Sequence, residues 1–130
     1  MPILSLYSGL LAVILIILSM KVAMARKKNS VGIGDGGNQE LSRAIRVQGN
    51  FIEYVPIALI LLAVFETNGG NSIVAHVAGG SLLIGRLLHA YGLGKSAGIS
   101  IGRGLGMLLT WLTILALGLV NIYYFISAFI

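Results

Sequence analysis

The N-terminal part of the chain contains a long stretch without a charged side chain. Residues 3–20 include no Asp, Glu, Lys or Arg, and beyond Lys21 the apolar pattern continues to Ala25. About 20 apolar residues in an α-helix are long enough to cross the hydrocarbon core of a bilayer. Because no water is available there to hydrogen-bond the backbone, such a segment must be helical. Arg26, Lys27 and Lys28 follow the apolar run instead of preceding it, which predicts a retained membrane helix and not a cleaved signal peptide.

The composition extends this interpretation to the whole chain. Of the 130 residues, 57% are hydrophobic and 10% are charged, whereas soluble domains contain about 25% charged residues. Three further apolar segments follow the first, and the stretches between them are rich in Gly, Asn and Ser, as loops are. We therefore predict an all-α fold, an integral membrane four-helix bundle that forms one domain over residues 1–130. The predicted helices cover about residues 3–25, 41–66, 72–91 and 103–129.

The basic residues are distributed very unevenly along the chain. All nine Lys and Arg residues lie within or beside the first and third predicted loops, and the second loop and both ends of the chain carry none. By the positive-inside rule, the first and third loops are predicted to face the cytoplasm and both termini the outside. The net charge of +5 is then mainly a topology signal and partly an attraction for anionic lipid headgroups. No nucleic-acid partner is expected.

Several sequence features exclude classes of site. Gly32, Gly34 and Gly37 fit the pattern G-x-G-x-x-G, but no strand precedes them, so they indicate a flexible loop and not a dinucleotide site. The chain has no cysteine, which excludes disulfides and a thiol nucleophile of the protein itself, so any thiol chemistry must use a substrate's sulfur. His76 and His89 have no convincing carboxylate neighbour at ligand spacing, and no metal site is expected.

Glycines occur at helix-packing spacing in the third and fourth predicted helices. They are Gly79 and Gly80 in the third helix, and Gly98, Gly102 and Gly106 at the entry to the fourth. Small residues allow membrane helices to approach closely where lipid provides no hydrophobic drive for association. We therefore predict that these glycines serve helix packing.

A polar stripe at the start of the second predicted helix is the strongest indication of function. Its members are Arg46, Gln48, Asn50, Glu53 and Tyr54. A charged group at the bilayer centre costs about 2.5–3.5 kcal/mol on insertion scales, so a cluster of this kind usually faces a bundle interior and has a role there. Arg46, Asn50 and Glu53 are spaced by four and three residues and lie on one helical face.

Further basic residues lie near the ends of the predicted helices, at the same level in the membrane as this stripe. They are Arg26 in the first helix, Arg43 in the second, Arg86 and His89 in the third, and Arg103 in the fourth. Such an arrangement predicts a pocket with cations at its mouth and the Glu53 carboxylate deeper in the membrane. Arginine binds carboxylates with a planar fork of donors, so the pocket suits a molecule with several carboxylates and a separate ammonium group.

At this point the residues resemble a known family. The segment from Arg46 to Pro56 matches R-x-Q-x-N-x-x-E-Y-x-P, which is similar to the helix-two signature of the MAPEG proteins (membrane-associated proteins in eicosanoid and glutathione metabolism). The length, the four spans and the basic first loop are similar to the short bacterial inner-membrane members. The resemblance implies a homotrimer in which glutathione binds between adjacent subunits.

The resemblance also implies roles for individual residues. The implied glutathione-binding positions are Arg26, Arg43, Arg46, Gln48, Asn50, Glu53, Tyr54, Arg86, His89 and Tyr91. Of these, Arg26 is implied to reach the cofactor from the neighbouring subunit. Arg103, at the junction of the third loop and the fourth helix, is the candidate catalytic residue, with Ser100 as a weaker hydrogen-bonding alternative.

The chemistry implied is activation of a thiol for attack on a hydrophobic molecule. A free thiol has a pKa of about 8.5, and a nearby arginine lowers that pKa and raises the thiolate fraction. The hydrophobic co-substrate would enter from the bilayer between helices one and four of adjacent subunits. Transfer of glutathione to an electrophile and reduction of a lipid hydroperoxide are both compatible with the sequence.

Two other functions fit parts of the same pattern. Small proton-coupled multidrug exporters also have four short helices and an intramembrane glutamate, which here would be Glu53. A non-catalytic membrane scaffold is the other alternative, since polar side chains in a membrane helix also form interhelical hydrogen bonds that hold subunits together.

Overall fold

Four long helices make up the structure, a computed structural model that describes residues 1–96 and 98–130. They are α1 (Pro2–Asn29), α2 (Gln39–Thr67), α3 (Ser72–Lys95) and α4 (Ile101–Phe129). Each helix is long and apolar enough to cross a membrane, and the described residues contain no strand. The prediction of an all-α membrane four-helix bundle is confirmed.

The second and third helices lie at the centre of the packing. Each contacts the three other helices, and the most extensive contact is that between α3 and α4. Within the described residues, α1 and α4 do not pack against each other. The most apolar stretch of each helix is only 22–33% buried within the protomer. Much of the helix surface is therefore available to lipid or to another subunit.

Three apolar clusters follow one another along the bundle. The first and third loops meet at one end of the bundle, which we call the basic end, and Val22, Ala25 and Leu41 are buried there. The second loop and both termini lie at the opposite end, which we call the termini end, where Phe65 packs with Leu62. The cluster between them includes Leu11, Leu18, Val47, Phe51, Val55, Ala58, Leu82 and Leu93.

The helices extend beyond the predicted ends at the basic end. α1 continues to Asn29 instead of ending near residue 25, and Ser30 then adopts the left-handed conformation with φ of 55°. Basic residues in the last turn of a helix interact favourably with its dipole, which explains why the helix continues past Arg26 through Lys27 and Lys28. α2 begins at Gln39, because the Asn38 side chain accepts a hydrogen bond from the Leu41 amide and caps the helix.

The third loop is shorter than predicted. α3 runs to Lys95, and Ser100 caps α4 by accepting a hydrogen bond from the Arg103 amide at 3.2 Å. Gly92, which the sequence placed in the loop, packs against the start of α4. A Cβ atom there would lie 2.5 Å from the Arg103 nitrogen. Because Gly92 has no side chain, the Arg103 backbone can lie directly against α3 at this position.

Glycines also set the close approach of α3 and α4 deeper in the bundle. A Cβ atom on Gly106 would lie 2.5 Å from the Gly85 carbonyl oxygen and 2.6 Å from the His89 nitrogen. Gly102 likewise faces the Leu88 carbonyl oxygen. The structure thus gives Gly102 and Gly106 the predicted packing role, whereas Gly98 is exposed in the loop.

A carboxylate joins two helices at the termini end. Glu66, in the last turn of α2, accepts hydrogen bonds from the backbone amides of Leu4 at 2.7 Å and Ile3 at 3.4 Å. These amides belong to the first turn of α1 and have no partner within that helix. Glu66 therefore caps α1 and holds the termini end together.

Candidate functional site

A small polar pocket lies at the basic end between α2, α3 and α4. Its volume is about 210 Å³. The residues that line it are Ser42, Arg43, Arg46, Asn50, His89, Leu93 and Arg103. The structure thus places five of the residues singled out from the sequence on one cavity. Ser42 and Leu93 were not predicted from the sequence.

Cations dominate the lining of this pocket. Arg43 and Arg46 come from the first turns of α2, and Arg103 comes from the first turn of α4. No acidic side chain lines the pocket among the residues that the structure describes. Arginine guanidinium groups supply charge-assisted hydrogen bonds to carboxylates and phosphates. The pocket is therefore suited to an anionic group.

Glu53 lies two helical turns from Arg46 on the same face of α2. The Arg46 Nη1 atom is 3.5 Å from Glu53 Oε1, and the two side chains are 58% and 51% exposed. A pair this open contributes little to stability. Both groups therefore remain accessible to a ligand or to a neighbouring subunit.

Arg86 lies behind the pocket and is almost completely buried. Its side chain is 1% exposed, and its Nη1 atom donates a hydrogen bond of 2.7 Å to Asn50 Oδ1. The guanidinium also lies 5.9 Å from the centre of the Tyr54 ring, and Nη2 is 3.4 Å from the Met107 sulfur. These contacts fix the Asn50 amide with its oxygen toward Arg86, so its NH₂ group is left as the donor for another partner.

His89 forms the wall of the pocket on the α3 side. It is 3% exposed, and the close contact of its backbone with Gly106 brings α4 beside it. Arg103 lies one turn before Gly106 on α4, and it lines the same pocket as His89. The pairing of small residues between α3 and α4 thus determines the distance between two predicted site residues.

Six predicted binding residues do not line this pocket. Glu53 and Arg86 contact residues that do, and Tyr54 lies beside Arg86. The other three, Arg26, Gln48 and Tyr91, make separate contacts. Arg26 donates to the carbonyl oxygens of Gly34 at 2.8 Å and Val31 at 3.4 Å in the first loop. Gln48 donates to the Ser19 hydroxyl of α1 at 2.8 Å. The Tyr91 side chain is 64% exposed, with Lys95 Nζ 4.5 Å from its ring centre.

The position of Gln48 follows from helix geometry. Residues two apart on an α-helix point about 200° apart, so Gln48 faces away from the side that carries Arg46. Ser42, in contrast, lies four residues before Arg46 and shares its face. The same spacing argument that selected Asn50 and Glu53 was therefore sufficient to find Ser42.

The fold and the pocket define a class: a four-helix membrane protein with an arginine-lined site at the end that carries its basic loops. Residues 4–123 match the model of the MAPEG family. The chain belongs to this family, as the helix-two motif predicted. It is similar to the inner membrane protein YecN of Escherichia coli K12, with 40% identity over 120 residues that cover 92% of this chain and 90% of the relative. YecN of Escherichia coli O6:H1 is similar to the same extent.

Proposed function

We propose that this chain is a glutathione-dependent membrane transferase or peroxidase that acts on hydrophobic electrophiles or lipid hydroperoxides. The observation that supports this function most strongly is the convergence of Arg43, Arg46 and Arg103 on one pocket in a member of the MAPEG family. Glutathione carries two carboxylates, one ammonium group and one thiol. Arg43 and Arg46 bind the carboxylates, and the accessible Glu53 carboxylate binds the ammonium group.

The size of the pocket supports a site shared between subunits. A volume of about 210 Å³ is below the roughly 300–1,000 Å³ of cavities that enclose a small molecule. Arg26 and Gln48, which the family resemblance assigns to the same site, lie elsewhere in the protomer. We propose a homotrimer in which a neighbouring subunit brings these two side chains against the pocket and completes it.

Arg103 is the residue that we propose to activate the thiol. It is partly buried at the entry to α4, held by the Ser100 cap and by the contact of Gly92 with its backbone. A guanidinium beside the sulfur stabilises the thiolate and lowers the pKa of the thiol. The thiolate then attacks the electrophilic carbon and displaces its leaving group as an anion. With a hydroperoxide, the thiolate attacks the terminal oxygen and breaks the O–O bond, and the alkoxide leaves as the alcohol after it takes up a proton. A second glutathione then reacts with the sulfenic acid and gives glutathione disulfide and water.

The co-substrate is proposed to arrive from the bilayer. Because α1 and α4 do not pack against each other in the described part of the protomer, each has a face available to a neighbouring subunit. A crevice between α4 of one subunit and α1 of the next then opens to lipid near Arg103. We further propose that the basic end faces the cytoplasm and both termini the outside, because all nine basic residues lie near this end.

The experiment that tests this function is an activity assay on the purified protein in lipid vesicles. We expect glutathione conjugation to 1-chloro-2,4-dinitrobenzene, reduction of cumene hydroperoxide, or both. The variant Asn50→Ala should reduce the activity about tenfold, because it removes a hydrogen bond to the ligand and leaves Arg86 buried without its partner. The matched control is Lys27→Gln, an exposed basic residue at the same end that does not line the pocket.

A transport assay on the same vesicles separates the alternative functions. Cation uptake driven by a proton gradient, without any glutathione reaction, would favour an exporter. The pairing of Glu53 with Arg46 does not favour that function, since an exporter's acid must exchange protons and cations. If neither activity is found while glutathione fails to bind, the enzyme proposal is wrong and a scaffold is favoured.

A further inference from the structure

A second cavity at the basic end is larger than the arginine pocket and different in character. It is a cleft between α1, α2 and α3 with a volume of about 600 Å³. Its walls are apolar and include Ile14, Ile17 and Leu87, of which Ile17 and Leu87 are half-exposed at the protomer surface. Its rim toward the basic end is formed by Lys21, Lys28, Glu40 and Arg43. Arg43 also belongs to the pocket described above.

The position of the cleft along α1 determines what kind of molecule it admits. Seven residues separate Ile14 from Lys21, which corresponds to about 10 Å of helix. With Lys21 at the level of the headgroups, this apolar part fits within one half of the hydrocarbon core, which is about 15 Å deep. An occupant must therefore combine an apolar chain of this length with a polar head at the level of Lys21 and Arg43.

The charges at the rim are not balanced by the protein. The chain has four acidic residues, and each is engaged within the protomer. Glu40 pairs with Lys28 at 3.0 Å and Glu53 with Arg46 at 3.5 Å, while Glu66 caps α1 at the termini end. The Gly37 amide and the Ser42 hydroxyl hold the pKa of the Asp35 carboxyl below its usual value.

Lys21 and Arg43 therefore lack a carboxylate partner in the described residues. The Nε atom of Arg43 is buried and makes no hydrogen bond there. Each carboxylate of the protomer already has a partner within the protomer, so the complement to this rim is an anion from outside it. A rim that borders an apolar cleft at the membrane is placed to take this charge from an anionic lipid headgroup.

We propose that the cleft is a binding site for a membrane lipid with an anionic phosphate headgroup. Lys21 and Arg43 bind the phosphate, and the apolar walls contact one acyl chain of a lipid from the leaflet at the basic end. Arg43 lies on the walls of both cavities, so the experiment tests this site through Lys21, which lines the cleft and not the arginine pocket. A zwitterionic lipid leaves the two cations without a net counter-charge and binds less strongly.

Photo-crosslinking from inside the cleft tests the proposal directly. Since the chain has no cysteine, the variant Ala90→Cys places a single benzophenone maleimide label on the wall of the cleft. The labelled protein is reconstituted in phosphatidylcholine vesicles that contain phosphatidylglycerol, irradiated, and analysed by mass spectrometry. We expect phosphatidylglycerol adducts in clear excess over the share of this lipid in the bilayer.

Charge variants in the same labelled background distinguish a specific site from general attraction to the surface. Lys21→Gln should lower the phosphatidylglycerol preference about fivefold, whereas Lys27→Gln, with the same charge change outside the cleft, should leave it unaltered. A label at Leu105→Cys, on an exposed face of α4, should give adducts in the proportion of the bilayer lipids. Circular dichroism of each variant checks that the bundle is folded.

Three results would overturn the proposal. The first is adducts from the cleft in the same proportion as the lipids of the bilayer. The second is an equal effect of Lys21→Gln and Lys27→Gln, which would indicate diffuse surface attraction. The third is crosslinking from Ala90→Cys mainly to another protein chain, which would show that a second copy occupies the cleft.

Discussion

Replacing Arg103 with glutamine should lower kcat for glutathione conjugation about a hundredfold at neutral pH, with little change in KM for glutathione. The guanidinium of Arg103 is proposed to stabilise the thiolate, which is the attacking form, and removal of one preorganised charge of this kind typically costs about 10²–10³ in rate. Without it the bound thiol should titrate closer to its free pKa of about 8.5. The loss should therefore shrink as pH rises.

A pH profile of kcat distinguishes this role from a structural one. We expect the rising limb to move to higher pH in Arg103→Gln, and to remain near its original position in Arg103→Lys, which retains a positive charge. Lys27→Gln again serves as the control for a basic residue at the same end. An unchanged pH profile in Arg103→Gln would contradict the assigned role even if the rate were lower.

The second large effect concerns the contact between α3 and α4. Gly106→Ala should destabilise the bundle by about 3 kcal/mol, because its Cβ atom would lie 2.5 Å from the Gly85 oxygen and 2.6 Å from the His89 nitrogen. Both are backbone atoms, so the helices themselves must separate, and overpacking typically costs about 1–3 kcal/mol or occasionally more. Unfolding in mixed micelles, followed by circular dichroism, measures this change.

Gly104→Ala is the matched control for this substitution. It makes the same change two residues earlier on the same helix, where a Cβ atom would meet nothing within 4 Å. Because alanine is favoured over glycine in a helix by about 0.8–1.0 kcal/mol, Gly104→Ala should be neutral or stabilising. Equal stability of the two variants would show that the close contact of α3 with α4 does not contribute as described.

The helices were predictable because the membrane imposes both their length and their backbone conformation. Their ends were less predictable, since the signals there are local and ambiguous. The first helix was predicted to end near Arg26 and the loop to begin at Lys28, although basic residues also suit the last turn of a helix. Gly92 was interpreted as a loop residue, whereas it is helical and accommodates the start of α4.

The sequence predicts which site residues lie together when they are at the same depth in the membrane. Arg43, Arg46, His89 and Arg103 share a pocket because the helix ends that carry them meet at one end of the bundle. The burial of Arg86 depends instead on how α2, α3 and α4 pack around it, which no spacing in the sequence reveals. Arg26, Gln48 and Tyr91 do not line the pocket in the protomer, and they remain predicted binding residues.

The most direct test of the central claim is calorimetric titration of glutathione into the purified protein and its Arg46→Ala variant. The claim is that the arginine pocket at the basic end binds glutathione. We expect binding to the parent protein that Arg46→Ala weakens by about 1–3 kcal/mol, as loss of a hydrogen bond to a charged group should, while Lys27→Gln binds like the parent. Absence of binding to the parent, or equal affinity of the parent and Arg46→Ala, would contradict the claim.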